Sequence, residues 1–206
     1  MREKWAAENL QTIRTLMERA AVYRRALAPV CLLTGVVGLI AGGVGWVTQC
    51  DSPRRFVLFW FGVAAATLAG AFVVIRRQAL RDHESFWSPP TRRVAQAMLP
   101  SLFIGLIAGL MLAFVANDQA LTWAAVPLWM ALYGAALHAG GFFMQRGIKW
   151  FGWAFIVGGT VLLLYPVMRQ SVPEFRFAHA FMGTVFGGLH LVYGAYLYCT
   201  EQKQAE

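Results

Sequence analysis

The side chains able to do chemistry in this sequence are few, and the most telling are histidines in apolar surroundings: His138, His179 and His190, with Tyr133 and Tyr193 nearby. His138 and His190 lie in different apolar runs, about six and nine residues from the same side, so at ~1.5 Å per residue their depths differ by ~5 Å. Two imidazoles facing each other at such depths could ligate haem, with glycines making room for the porphyrin and Tyr133 or Tyr193 beside it. A metal ion fits less well, because imidazoles alone, without a carboxylate, leave its shell incomplete. The competing use of each ring is structural: a neutral histidine hydrogen-bonded to a backbone carbonyl or a tyrosine hydroxyl across a helix interface. His179 lies nearer the opposite end and is expected to meet water or Glu174. His83, between Asp82 and Glu84, reads as part of a solvated loop, since sequence neighbours point in different directions on a helix.

Catalytic partners for these groups are missing from the pattern. Six runs carry no Asp, Glu, Lys or Arg: Ala26 to Cys50, Phe56 to Ile75, Val94 to Asn117, Gln119 to Met144, Trp150 to Met168 and Phe177 to Thr200. Ion-driven carriers keep an ionisable group in the membrane despite its cost, and intramembrane proteases need a nucleophile with a base. Ser101 and Thr160 have neither a base nor an oxyanion set in view, so the pattern points away from an enzyme.

The elements that must position the histidines are long apolar helices. The chain is 58% hydrophobic and 14% charged, whereas soluble domains carry roughly a quarter charged residues. Each uncharged run approaches the ~20 residues that cross ~30 Å of hydrocarbon. The expected fold is all-α, a polytopic six-transmembrane-helix bundle over residues 29–200, preceded by an amphipathic helix over 1–28 and followed by a tail over 201–206. The spans are placed at about 29–49, 56–75, 94–116, 121–144, 150–167 and 177–199. The net charge of +8 comes from basic residues between the runs, fourteen of the eighteen on one side, which places both termini in the cytoplasm and argues against direct nucleic-acid binding. In residues 1–28, Leu10, Ile13 and Met17 recur at helical steps and Arg24 and Arg25 sit at the end, a surface for an anionic leaflet or for a cytoplasmic partner protein. Cys31, Cys50 and Cys199 form no CxxC pair, which argues against a structural zinc site.

Glycine spacing supplies the packing. Gly35, Gly38, Gly42 and Gly45 form a groove on the first span, and Gly62 with Gly70 and Gly105 with Gly109 repeat it on the second and third. On the last span, His179, Gly183, Gly187, His190 and Gly194 step by four, four, three and four, which keeps both histidines within ~20° on one side, ~16 Å apart. Such faces serve internal packing, a homo-oligomer, or both. Pro100 and Pro127 are expected to kink their helices, Pro89-Pro90 to turn the second loop, and Tyr165-Pro166 to end the fifth span. Leu132 to Leu137 and Val192 to Leu197 echo each other around a Tyr-Gly pair.

The opening ENLQTIRTLMERAAVYRRALAP and the closing GGLHLVYGAYLY resemble those of small bacterial inner-membrane proteins with no assigned activity, some of them neighbours of a winged-helix transcription regulator. The resemblance implies a bacterial cytoplasmic membrane, with Leu10 to Leu27 as the surface for such a regulator. Three functional readings follow: a non-enzymatic sensor or scaffold working by helix packing, self-association and its N-terminal helix; a haem-binding electron-transfer protein using His138 and His190; and a small-solute or lipid transporter without an ionic couple.

Overall fold

The computed structural model describes residues 26–48, 52–81, 83, 86–144, 146–169, 171 and 173–202. The amphipathic helix expected over 1–28, with Leu10, Ile13, Met17, Arg24 and Arg25, lies almost wholly outside these residues. Among the described residues all regular structure is helical, and six helices are long and apolar enough to cross a membrane. The first span is α1 (Ala26–Thr48) and the second α2 (Pro53–Arg81). The third is α3 (Pro89–Met111) extended by a π turn, Leu112–Ala116. The fourth is α4 (Gln119–Trp123) with α5 (Ala125–Gly140), and the fifth is α6 (Arg146–Arg169). The sixth runs through α7 (Phe175–Phe181), a second π turn, Met182–Gly187, and α8 (Gly188–Gln202).

Local chemistry explains where these helices start and stop. No breaker follows Ile75, and Gln78, Ala79 and Leu80 favour helix, so α2 outlasts its apolar run. Pro89 and Pro90 open α3 instead of turning the chain, because a missing N–H costs nothing in a first turn. Asn117 adopts a left-handed conformation (φ 47°) and its N–H bonds the Leu112 carbonyl, closing the third span. Asp118 then caps α4 by accepting from the Leu121 N–H at 2.9 Å. Pro127 has no N–H for the Trp123 carbonyl, and the fourth span is interrupted at Ala124 between α4 and α5. Pro100 sits inside α3, and Pro166 sits inside α6; the apolar span Gly147–Pro166 ends at Tyr165-Pro166 as expected, while the helix itself continues to Arg169.

The fourth span is the centre of the bundle: half of its apolar window is buried, against 6% for the second span and 17% for the third. α5 and α6 meet backbone to backbone. A Cβ added to Gly134 would lie 2.6 Å from the Gly152 carbonyl oxygen, and one on Gly159 2.7 Å from that of Pro127. Between helices in lipid the hydrophobic effect offers little, so such close packing supplies the attraction. Around α5 the core is aromatic and aliphatic, with Phe56, Trp123, Phe155, Phe175 and Met130 essentially inaccessible.

Candidate functional site

The last span meets α1 along one continuous seam. Gly38 faces Gly187, where an added Cβ would come 3.0 Å from its Cα, and Gly42 faces the Gly183 Cα at 2.6 Å on the same measure. Toward one end Gly45 lies against the His179 ring; toward the other, Gly35 lies against Leu191 and Gly194 against the backbone of Leu32. The two helices run antiparallel with glycine opposite glycine, and this intrachain contact occupies the grooves of both.

The residue opposite Gly35 is Leu191, not His190. Twelve residues separate His179 from Leu191, which in an unbroken α-helix would turn them ~120° apart. A π turn closes i to i+5 bonds and so takes up one residue more than an α turn. With Met182–Gly187 in that form, the effective step from His179 to Leu191 is that of eleven residues, ~20°, and His190 swings ~80° off the stripe. The expectation that both histidines share one face fails for this reason.

Turned away from α1, His190 enters the interface with α5 and α6. It is 3% exposed. Its Nδ1 lies 2.6 Å from the Phe186 carbonyl oxygen, and its Nε2 lies 2.8 Å from the Tyr133 hydroxyl. A carbonyl only accepts, so Nδ1 carries the proton of the neutral ring, Nε2 presents its lone pair, and the Tyr133 hydroxyl donates to it. Phe151 and Phe155 close the ring in, with centroids at 5.1 and 5.5 Å.

His179 has the opposite tautomer. Trp60 Nε1–H donates to its Nδ1 at 3.2 Å, so the neutral ring carries its proton on Nε2. Phe56 and Phe59 stand edge-on at 4.8 and 5.4 Å, and the side chain is fully buried. This burial takes His179 out of the water it was expected to meet, and Glu174 pairs with Arg176 at 3.1 Å. Arg176 also stands 5.0 Å from the Trp46 ring, which lets the helix begin before the uncharged run does.

The geometry does not fit a bis-imidazole haem. Both His190 nitrogens are engaged within the protein, so neither offers a free lone pair to iron. His138 stands against Phe142 and Trp153, at 5.4 and 5.7 Å. Trp153 lies ~200° around α6 from Phe151, the α6 ring that touches His190, so the two histidines sit on different sides of that helix. Among the described residues no three His, Cys, Asp or Glu side chains converge as a metal site. Tyr193 stacks on Phe151 at 4.3 Å and packs against the buried Ala28, Cys31 and Leu197. Its hydroxyl lies against Gly147 and, like the buried Trp123 Nε1 and His138 Nδ1, has no hydrogen-bond partner among the described residues.

The remaining glycines divide. Gly105 and Gly109 make room for a side chain, the Trp129 indole, whose Nε1–H donates to the Gly105 carbonyl at 2.9 Å. Gly70 meets Leu33, and a Cβ on Gly62 would have nothing within 4 Å among the described residues. The Tyr-Gly echo has packing content: Gly134 touches α6 and Gly194 touches α1. Sequence reasoning missed Trp60 as the partner of His179 and the Gly134, Gly152 and Gly159 seam. The seven-residue step from Gly152 to Gly159, two helical turns, was its available signal. Comparison with known proteins finds no matching family, no matching curated protein and no matching solved structure.

Proposed function

We propose that the protein is a non-catalytic integral membrane protein of the sensor or scaffold kind. The observation that carries this reading is the use made of its histidines: His179 ties the last span to α2 through Trp60, and His190 ties it to α5 through Tyr133. Groups with chemical capacity are spent on holding helices together. The grooves of α1 and of the last span are filled by each other, so self-association belongs to the outward faces of the second and third spans, where Gly62 is open and Leu68, Leu102 and Phe103 are exposed. The concentration of basic residues on one side supports a cytoplasmic position for both termini, and the resemblance of the chain ends supports a bacterial inner membrane. The N-terminal segment, with Leu10, Ile13 and Met17, is then presented to a cytoplasmic partner or to the membrane surface.

Single-molecule photobleaching of the fluorescently tagged full chain in native membrane vesicles tests this. The expected result is more than one copy per spot, reduced by Gly62→Leu. One copy per spot at every expression level contradicts the self-association part of the reading.

A further inference from the structure

The loop between the second and third spans gathers five arginines, Arg76, Arg77, Arg81, Arg92 and Arg93, against Asp82 and Glu84. The fold converts this run into a patch. The Phe72 ring meets the Phe86 ring edge-on at 4.9 Å, so the loop folds back onto α2. The Thr91 hydroxyl donates to the Phe86 carbonyl at 3.1 Å and pairs with the Ser88 hydroxyl at 2.9 Å, which fixes Phe86 to the first turn of α3. Arg76 and Arg77 follow Phe72 by about one helical turn, ~6 to 7.5 Å along α2, and Arg92 and Arg93 follow Thr91 directly. All four are exposed. The N-terminus of α3, whose Ser88 makes no side-chain cap bond, adds positive potential at the same place.

Apolar surface lies open beside these cations. Leu80 is 67% exposed, Trp87 57% and Phe72 45%. A free anion would satisfy the arginines and leave this surface uncovered, whereas a molecule with a negative head and an apolar body covers both. The basic groups at the other end of the bundle are differently placed: Arg54 stands over Phe114 and Arg176 is paired with Glu174.

We propose that this patch is a site for an anionic phospholipid, its phosphate drawn by the combined charge of Arg76, Arg77, Arg92 and Arg93 and its glycerol region seated on the Phe72–Phe86 pair. The inference rests on the reading of the chain as a membrane protein with this loop at an anionic leaflet. Arginine forks suit phosphate oxygens bidentately, and interfacial aromatics sit at headgroup level.

The test is native mass spectrometry of the full chain released from nanodiscs that hold phosphatidylglycerol and phosphatidylcholine with matched acyl chains. With each basic residue near an anionic surface contributing substantially, wild type is expected to retain phosphatidylglycerol with a preference of about tenfold or more. Replacing all four arginines by glutamine should bring the preference close to onefold. Replacing them by lysine should keep part of it, and Arg54→Gln with Arg55→Gln should leave it unchanged. Equal retention of the two lipids by wild type overturns the site, as does equal loss in the Arg54 and Arg55 variant, or displacement of the lipid by millimolar inorganic phosphate. A chain that fails to enter nanodiscs of either lipid defeats the membrane reading itself, whereas one that enters and shows no preference defeats this site alone.

Discussion

Replacing Gly183 by alanine probes the seam with the smallest possible change. The new Cβ would sit 2.6 Å from the Gly42 Cα and 3.2 Å from the Gly38 carbonyl oxygen, both backbone atoms of another helix. Carbon atoms rest at about 3.5–4.0 Å, so α1 and the last span must separate locally by roughly 1 Å, enough to forfeit a quarter to a half of each contact well. Overpacking of this kind costs about 1–3 kcal/mol, and the better helix propensity of alanine returns about 0.5–1 kcal/mol. The net range is a loss of up to about 2.5 kcal/mol, and with both backbones held rigid the expectation is about 1–2 kcal/mol. For a chain of 206 residues, at roughly 2–4 °C per kcal/mol, that lowers the thermal midpoint by ~2–8 °C. Gly43→Ala is the matched control, because among the described residues nothing lies within 4 Å of a Cβ there; it gains propensity alone and should raise the midpoint by up to ~4 °C. The assay is thermal unfolding of both variants in one detergent, followed by near-ultraviolet circular dichroism. Shifts of the same sign and size in both variants, or an unchanged Gly183→Ala protein, would refute the packing argument.

Two further outcomes follow from the same geometry. Tyr133→Phe leaves His190 Nε2 buried without its donor and should cost about 1–3 kcal/mol in a detergent unfolding titration, while Tyr193→Phe, which removes a hydroxyl with no partner, should cost nothing measurable; equal costs would argue against the Tyr133–His190 bond. A cysteine at Gly194 would place its Cβ 3.1 Å from that of Cys31, close to the ~3.5–4.5 Å of a disulfide. With Cys50 and Cys199 replaced by serine, Gly194→Cys should oxidise to an internal cross-link seen by intact mass, and Ala195→Cys should not.

What the sequence revealed and what it hid have physical reasons. Six spans were legible because crossing hydrocarbon demands length and forbids charge, and both leave marks on composition. The glycines of the first and last spans were legible as stripes, since α periodicity holds along Gly35 to Gly45 and the four-residue steps His179, Gly183 and Gly187 all meet that groove. The π turn was not, because no residue type in Met182–Gly187 demands an extra residue in the ladder, and the misplacement of His190 follows from that alone. A haem site was conceivable because similar depths in two spans do not show that His138 and His190 stand on different sides of α6. His179 was misjudged because depth in sequence does not show that Gly45 vacates space for the ring while Phe56, Phe59 and Trp60 close over it. Gly105 and Gly109 looked like a groove for a helix, and only the position of Trp129 shows that an indole fills it.

A π turn rotates the last span so that Leu191 faces α1 and His190 faces α5. It is tested most directly by disulfide formation at position 35, in a chain whose Cys31, Cys50 and Cys199 are replaced by serine. Gly35→Cys paired with Leu191→Cys should cross-link under mild oxidation in the membrane, because position 35 lies directly against residue 191. Gly35→Cys paired with His190→Cys should stay reduced. Cross-linking of the 35 and 190 pair with none at 35 and 191 would mean an unbroken α-helix and no π turn in the last span.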